Sequence, residues 1–356
     1  GGRQLVFPAK KDFASVSAPA VFAEMGMEKL LKEAGWPAAE EVLEMPGGRN
    51  NRVFCVRTSR GPVLLKRYFR EASDSRDRLA HEYKFLRACQ ESGVSCVPRA
   101  WAADPVEGLA LYEYVEGSRP TILGKEELRE AGNFIADLNA RKSGRGFQGL
   151  PSAAEACFSV QEHVASVERR MERLEGMEEK TDLDRTAKDW VRTRLLPAWR
   201  KIRGLLENEV QGAAPLQSSQ RVVSPSDFGI HNTLRAPDGR LIFLDFEYSG
   251  WDDPAKLVCD FANQPDRPLS PDESGVFVNR VLSWAGEEDF WKTRFRALAP
   301  LHQVKWACIV LNDFLPFGRN RRRFQGNQEQ ESARKGRQLG KAREMLDRVQ
   351  QGIVPC

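Results

Sequence analysis

Histidine is scarce in this chain: four residues, His81, His163, His231 and His302, with no two at metal-ligand spacing. An imidazole-based metal centre is therefore not indicated. The seven cysteines stand apart at 55, 89, 96, 157, 259, 308 and 356, an odd total with no Cys-x-x-Cys pair. Neither a disulfide framework nor a zinc ribbon follows, and reduced thiols in a cytoplasm are the expectation. No apolar run approaches the ~18–20 residues that a membrane span needs. The opening Gly-Gly-Arg-Gln-Leu-Val-Phe lacks the layout of a signal peptide and begins without Met, so about the first twenty residues stay outside the fold expectation. An excess of one charge is also missing. Lys and Arg number 54 against 50 Asp and Glu, and the resulting +4 gives no footprint for nucleic acid.

What is present is an ordinary globular composition. Hydrophobic residues make up 41% and charged residues 29% of 356 positions, enough for two domains or one large two-part unit. Residues 20–115 read as mixed α and β. A helix is predicted from Phe22 to Ala34, and short strands at Val53–Val56, Val63–Leu65 and Leu109–Tyr112. A helix from Ser75 to Glu91 keeps Leu79, Tyr83, Leu86 and Cys89 on one face. Residues 116–350 read as mainly helical, with a helical insertion at about 157–210. There Val191, Leu195, Trp199, Ile202 and Leu206 repeat at helical steps. Gln211–Gln220 reads as a linker. One strongly β segment, Arg221 to Tyr248, interrupts the helices.

That segment carries the chemistry. It runs Ser224-Pro-Ser-Asp227-Phe-Gly-Ile-His-Asn232, turns at Asp238-Gly239, and returns through Phe243-Leu-Asp245-Phe-Glu247. Asp-Gly is a strong signal for a two-residue hairpin turn. With those two residues as the turn, Asn232 is expected directly across from Asp245. Two facing oxygen-bearing side chains can hold Mg²⁺, which takes few protein ligands and completes its shell with water and phosphate. Asp227, five residues before Asn232 on the entering loop, is placed to accept a proton from an attacking hydroxyl.

An Asp-x-x-x-x-Asn spacing followed by Asp-Phe-x resembles the catalytic loop of the protein-kinase-like superfamily. The continuation Asp245-Phe-Glu-Tyr-Ser-Gly-Trp251-Asp-Asp253-Pro254, with Asp260 six residues on, resembles its aminoglycoside phosphotransferase and choline kinase branch. The resemblance runs from about Pro46 to Asp260. It implies an α+β, protein-kinase-like two-lobed fold: a small antiparallel-sheet lobe, 20–115, that binds nucleotide, and a larger mainly helical lobe, 116–350, for catalysis and substrate. It implies ATP, with GTP as the open alternative, and Mg²⁺ as cofactors. Asp227 is then the catalytic base, and Asn232 and Asp245 the metal ligands. Gly47, Gly48 and Asn51 are expected to cover the phosphates, since glycine lets backbone amides approach them closely. Lys66 is expected to contact the α- and β-phosphates and to pair with Glu82. Adenine is expected on the backbone near Glu113 and Val115. One position departs from the pattern: the family has His two residues before the base, and this chain has Pro225.

The acceptor leaves less trace. Asn312 and Asp313, ending the helical stretch Lys305–Phe314, are candidates for hydrogen bonds to it. Arg319, Arg321, Arg322 and Arg323 form a basic cluster that argues against a strongly cationic acceptor. The expected activity is phosphorylation of a small-molecule hydroxyl, on a sugar or sugar derivative, with no nucleic-acid or membrane partner. Two other classes fit the fold: a kinase-fold binding protein with little turnover, motivated by Pro225, and a protein kinase. The latter is disfavoured because the chain lacks an Ala-Pro-Glu segment and an activation loop after Asp245.

Overall fold

The computed structural model describes residues 26–45, 51–70, 76–209, 214–316 and 331–352. Packing divides the described chain into two units. The first comprises residues up to Leu123, Asp137–Ala154 and Pro225–Gly250; the second comprises Gly124–Ala136, Glu155–Ser224 and the chain from Trp251 onward.

The first unit is built on a five-stranded antiparallel sheet of β1 (Ala39–Met45), β2 (Asn51–Thr58), β3 (Gly61–Tyr68), β4 (Ala100–Asp104) and β5 (Leu109–Glu113), in the order β1-β2-β3-β5-β4. Side chains alternate between faces along a strand. Phe54, Val56, Val63, Leu65, Leu109 and Leu111 take one face and pack with Leu30 and Leu31 of helix α1 (Met27–Glu33). The opposite face is thereby left to Asn51, Lys66, Tyr68 and Tyr112. Helix α2 (Arg78–Glu91) packs against β4 and β5. Its start is set by Asp77, whose carboxylate accepts the Ala80 amide at 3.0 Å. The sequence pattern did not anticipate β1 and β4. Their residues, Ala-Glu-Glu-Val-Leu-Glu-Met and Ala-Trp-Ala-Ala-Asp, have weak strand preference, and pairing with β2 and β5 decides them.

The hairpin forms with a different register from the one expected. Strands β7 (Thr233–Arg235) and β8 (Leu241–Phe243) pair as Thr233↔Phe243 and Leu234↔Ile242. The turn therefore holds three residues, Pro237-Asp238-Gly239, closed by Ala236 N to Arg240 O at 2.9 Å. Pro237 suits the first turn position and Gly239 takes a left-handed φ of 89°, as in a three-residue hairpin loop. Asn232 consequently lies opposite Leu244, whose amide it accepts at 2.9 Å, and Asp245 follows one residue later. A one-residue slip matters because neighbouring strand residues face opposite ways. The β content of 221–248 is also smaller than expected: besides β7 and β8 it holds only the short strand β6 (Val222–Ser224), which joins β9 (Gly250–Asp252) in a two-stranded sheet.

The second unit is mainly helical. Helices α5 (Val160–Glu175), α6 (Asp182–Trp190) and α7 (Leu196–Glu209) occupy the 157–210 stretch; of the preceding α3 (Lys125–Ala140) only the part up to Ala136 belongs to this unit, and the short α4 (Arg145–Gln148) belongs to the first. Between α6 and α7 the turn Val191–Leu195 widens to a π-helix. Pro197 has no N–H to give to Thr193 O, which explains the wider turn. The repeat at Val191, Leu195, Trp199, Ile202 and Leu206 is buried as expected. Helices α8 (Pro254–Ala262), α9 (Pro271–Trp284), α10 (Glu288–Val310) and α11 (Glu331–Gln350) complete it.

Within this unit the block after Asp245 forms a buried charge network. Asp253 caps α8, accepting the Ala255 amide at 2.7 Å, and pairs with Arg294 Nη2 at 2.6 Å and His163 Nε2 at 3.1 Å. Asp260 meets Lys305 at 2.9 Å, Lys256 at 3.2 Å and His302 Nδ1 at 3.2 Å. His302 Nε2 lies 3.3 Å from His163 Nδ1. Burial opposes the charge on His163, yet the hydrogen bonds to Asp253 and Cys157 prevail and raise it to about 9. Burial and the Lys305 charge push His302 down to about 3. A charged His163 thus donates to a neutral His302, which donates in turn to Asp260.

Candidate active site

Lys66 is the hub of the first unit's polar face. Its ammonium donates to Glu82 Oε2 at 2.7 Å and to Asp245 Oδ1 at 2.6 Å. β3 supplies Lys66 by alternation, and α2 presents Glu82 one turn after Arg78. Tyr68, two residues along the same face, donates to Glu82 Oε2 at 2.5 Å and meets the Tyr112 hydroxyl at 2.7 Å. Asn51 Nδ2 donates to Glu247 Oε2 at 2.5 Å, and Arg78 Nε lies 3.9 Å from Glu247 Oε1. The Phe246 amide also points to Glu82, Oε1 at 3.4 Å.

This cluster is short of positive charge. Burial works against a charged Lys66, but Asp245, Glu82 and Glu247 hold it well above the ordinary lysine value. Burial raises Glu82, with Lys66 opposing and Asp245 adding to the rise. Burial and the Asp245 charge push Glu247 up to about 7. A divalent cation would offset that imbalance.

The loop before β7 is stitched by its own backbone. Phe228 N donates to Ser226 O at 2.9 Å, Asn232 N to Gly229 O at 3.0 Å, and the Thr233 hydroxyl to Gly229 O at 3.0 Å. The Asn232 side-chain amide donates to Asp227 O at 2.9 Å, which leaves its oxygen as the atom that can face a cation. Phe228 anchors the loop edge-on to Phe243, ring centres 5.1 Å apart. Two non-glycine residues here adopt left-handed backbone, Ser226 (φ 67°) beside Asp227 and Asp245 itself (φ 66°). Such positions cost of order 1–3 kcal/mol and cluster at functional sites.

The donor set suits magnesium. Asn232 Oδ1 and the Asp245 carboxylate are hard oxygen donors of the type that ion takes, while the hairpin register sets Asn232 opposite Leu244 and not Asp245. Among the described residues no group of three or more His, Cys, Asp or Glu is arranged as a metal cage.

The structure thus brings together Lys66, Glu82, Asp245 and, through Glu247, Asn51. Asp227 and Asn232 share one loop. Gly47, Gly48 and the Arg319–Arg323 cluster lie outside the described residues. The Glu113 amide donates to Arg99 O at 2.8 Å and so is not a donor to a nucleotide. Val115 follows the end of β5. Asp313, in the second unit, is paired with Arg334 Nε at 3.1 Å in a 3₁₀ turn, Leu311–Phe314, which also holds Asn312. Sequence reasoning missed Tyr68, Arg78 and Glu247. For Tyr68 and Glu247 a signal existed, since each stands two residues beyond a chosen site residue.

A family model described as the phosphotransferase enzyme family matches residues 41–290. Spectinomycin phosphotransferase, solved with ADP and spectinomycin, superposes with a TM-score of 0.62 at 13% identity, covering 91% of this chain and 98% of its own. Choline kinase from Streptococcus pneumoniae gives 0.56 at 15% identity, covering 90% and 99%. Choline kinase from Cryptosporidium parvum gives 0.50 at 16%, covering 88% and 91%. These likenesses establish the α+β protein-kinase-like fold. A search of curated protein sequences gives no match.

Proposed function

The chain belongs to the phosphotransferase enzyme family, and from that premise we propose that it transfers the γ-phosphoryl group of ATP to a hydroxyl of a small molecule, a neutral or anionic sugar or sugar derivative. The observation that carries this reading is Lys66 held between Glu82 and Asp245 at 2.7 and 2.6 Å. A buried lysine on a strand, oriented by a helix glutamate, is what a nucleotide's phosphates require. The nearby loop supplies the rest of the chemistry.

Asp227 takes the proton of the acceptor hydroxyl as its oxygen bonds to the γ-phosphorus, while the bond to the β-phosphate oxygen breaks and ADP departs. Lys66 carries positive charge toward the phosphates, with Glu82 and Tyr68 fixing its direction. Asn232 holds the loop through its bond to Asp227 O. Magnesium, when bound by Asn232 and Asp245, supplies charge neutralisation on the transferring group. The near-neutral net charge of +4 supports a sugar over a polycation.

The test is ³¹P NMR of the purified protein with Mg·ATP, and in parallel Mg·GTP, against pools of hexoses, amino sugars, nucleosides, choline and aminoglycosides. A new phosphomonoester is expected in a sugar pool. Asp227→Asn should lower its rate by about 10²–10⁴-fold, the span of a general base. Binding of Mg·ATP with no product in any pool would favour the kinase-fold binding protein that Pro225 motivates, and no binding at all would remove the reading.

A further inference from the structure

The hydrogen bonds that close within the loop before β7 fix its shape, but its place against the sheet needs bonds to other elements. Pro225, where the loop begins, has neither an N–H nor a polar side chain to give one. Ties to the rest of the first unit come from both sides. On the β8 side, Phe243 N donates to Cys96 O at 2.8 Å. On the β7 side, Ser118 N donates to Arg235 O at 3.0 Å and Arg235 N to Ser118 O at 2.8 Å. Next to Ser118, Arg119 Nη1 donates to His231 O at 2.7 Å. The other ties run backbone to backbone; this one is made by a side chain. It lands on the 3₁₀ turn Ile230–Asn232, between Asp227 and the proposed magnesium ligand Asn232. A hydrogen bond from a charged guanidinium is among the stronger kinds.

We propose that Arg119 is a positioning residue of the transfer step: it pins the turn between Asp227 and Asn232 to the segment that leaves β5, and so holds the base where the acceptor hydroxyl must meet it. The inference rests on the phosphotransfer reading above. Arg119 touches neither phosphate nor acceptor in this scheme; it acts through the His231 carbonyl. A shift of the turn is passed on to the base, because the Asn232 side-chain amide donates back to Asp227 O at 2.9 Å. Displacing a reacting group by about 1 Å can slow a step by ~10²-fold even when the substituted residue lies away from the chemistry. Arg119 is exposed, so its loss should cost the fold little while costing the step much.

The experiment uses the full chain as wild type, Arg119→Ala, Arg119→Lys and Asp227→Asn. ADP release from Mg·ATP, with water as acceptor, gives kcat and KM; amide hydrogen exchange reads the loop, and urea unfolding reads the fold. Arg119→Ala is expected to lose about 10–100-fold in kcat with KM for ATP unchanged, the pattern of an interaction that counts only in the transition state. Amides of residues 228–235 should exchange faster, while those of β1, β2 and β3 and the urea midpoint stay as in wild type. Arg119→Lys keeps a charged donor and should recover part of both the rate and the protection. Wild-type kcat in Arg119→Ala would overturn the proposal, whether or not the loop exchanges faster. So would a raised KM at wild-type kcat, which would place Arg119 in nucleotide binding. A lowered urea midpoint with faster exchange throughout the sheet would overturn it too, by making Arg119 a general prop of the fold. If wild type releases no ADP, the phosphotransfer reading fails and the proposal with it. If Asp227→Asn is slowed while Arg119→Ala matches wild type, that reading stands and only the role of Arg119 falls.

Discussion

Lys66 shows how a single residue's environment is set. Its side chain is 8% exposed and its ammonium faces three carboxylates, one of them, Asp245, 179 positions away in sequence. A buried charge is tolerable only when paired, and removing one partner leaves the others stranded. Lys66→Met, which keeps the stem, should therefore cost on the order of 3 kcal/mol in urea unfolding and abolish retention of nucleotide. Unaltered unfolding would mean the ammonium is not stabilising the carboxylates. The pairing with Glu82 was expected from the resemblance to the kinase-like family. The link to Asp245 was not, because no spacing rule measures distances across the fold.

At the scale of elements, close approach governs where glycine is needed. A Cβ at Gly117 would lie 2.7 Å from Arg235 O, and Ser118 next to it exchanges hydrogen bonds with Arg235 at 3.0 and 2.8 Å. Gly117→Ala must push β7, the strand that follows Asn232, and should lose about 1–3 kcal/mol, the usual range for overpacking. Gly204 is the contrasting case. It lies inside α7, where an added methyl group would meet open space, so Gly204→Ala should gain up to about 1 kcal/mol from helix propensity. Thermal or urea unfolding of the two variants checks both signs; a neutral Gly117→Ala would show that the linker can shift without moving the hairpin. Element types were largely readable from periodicity, as with α2 and β3. Register was not: the Asp238-Gly239 dipeptide fits both a two-residue and a three-residue turn, and Pro237 joining the loop settles which.

Across the whole molecule, the clearest pH dependence comes from the second unit's histidines. His163 is raised to about 9 from 6.5, so its contribution is full below 6.5 and is lost as pH rises through 9. That is worth roughly 3 kcal/mol. His302 is lowered to about 3 from 6.5, so its neutral form supports the fold above 6.5 and this support is lost as pH falls toward 3. The two windows meet near pH 6.5. Urea midpoints read by tryptophan fluorescence should descend on either side of that pH; Trp306, bonded to Asp260 at 3.1 Å, is a local reporter. His163→Gln should flatten the alkaline descent and His302→Gln the acidic one. Descents that persist in both variants would assign the pH dependence elsewhere.

By itself the sequence determined the kinds of most elements, though not of β1 and β4, the order of Lys66, Glu82, Asp227, Asn232 and Asp245, and the family they resemble, because helix, strand and loop signals and motif spacings are local quantities. The tertiary structure decided the hairpin register, the bond from Asn51 to Glu247 across 196 positions, the closure of Asp253, Asp260, His163 and His302 into one buried network, and the approach of His231 Nε2 to Asp227 Oδ1 at 3.3 Å. Each of these depends on which side chains packing brings together, and on the geometry of a turn rather than its composition.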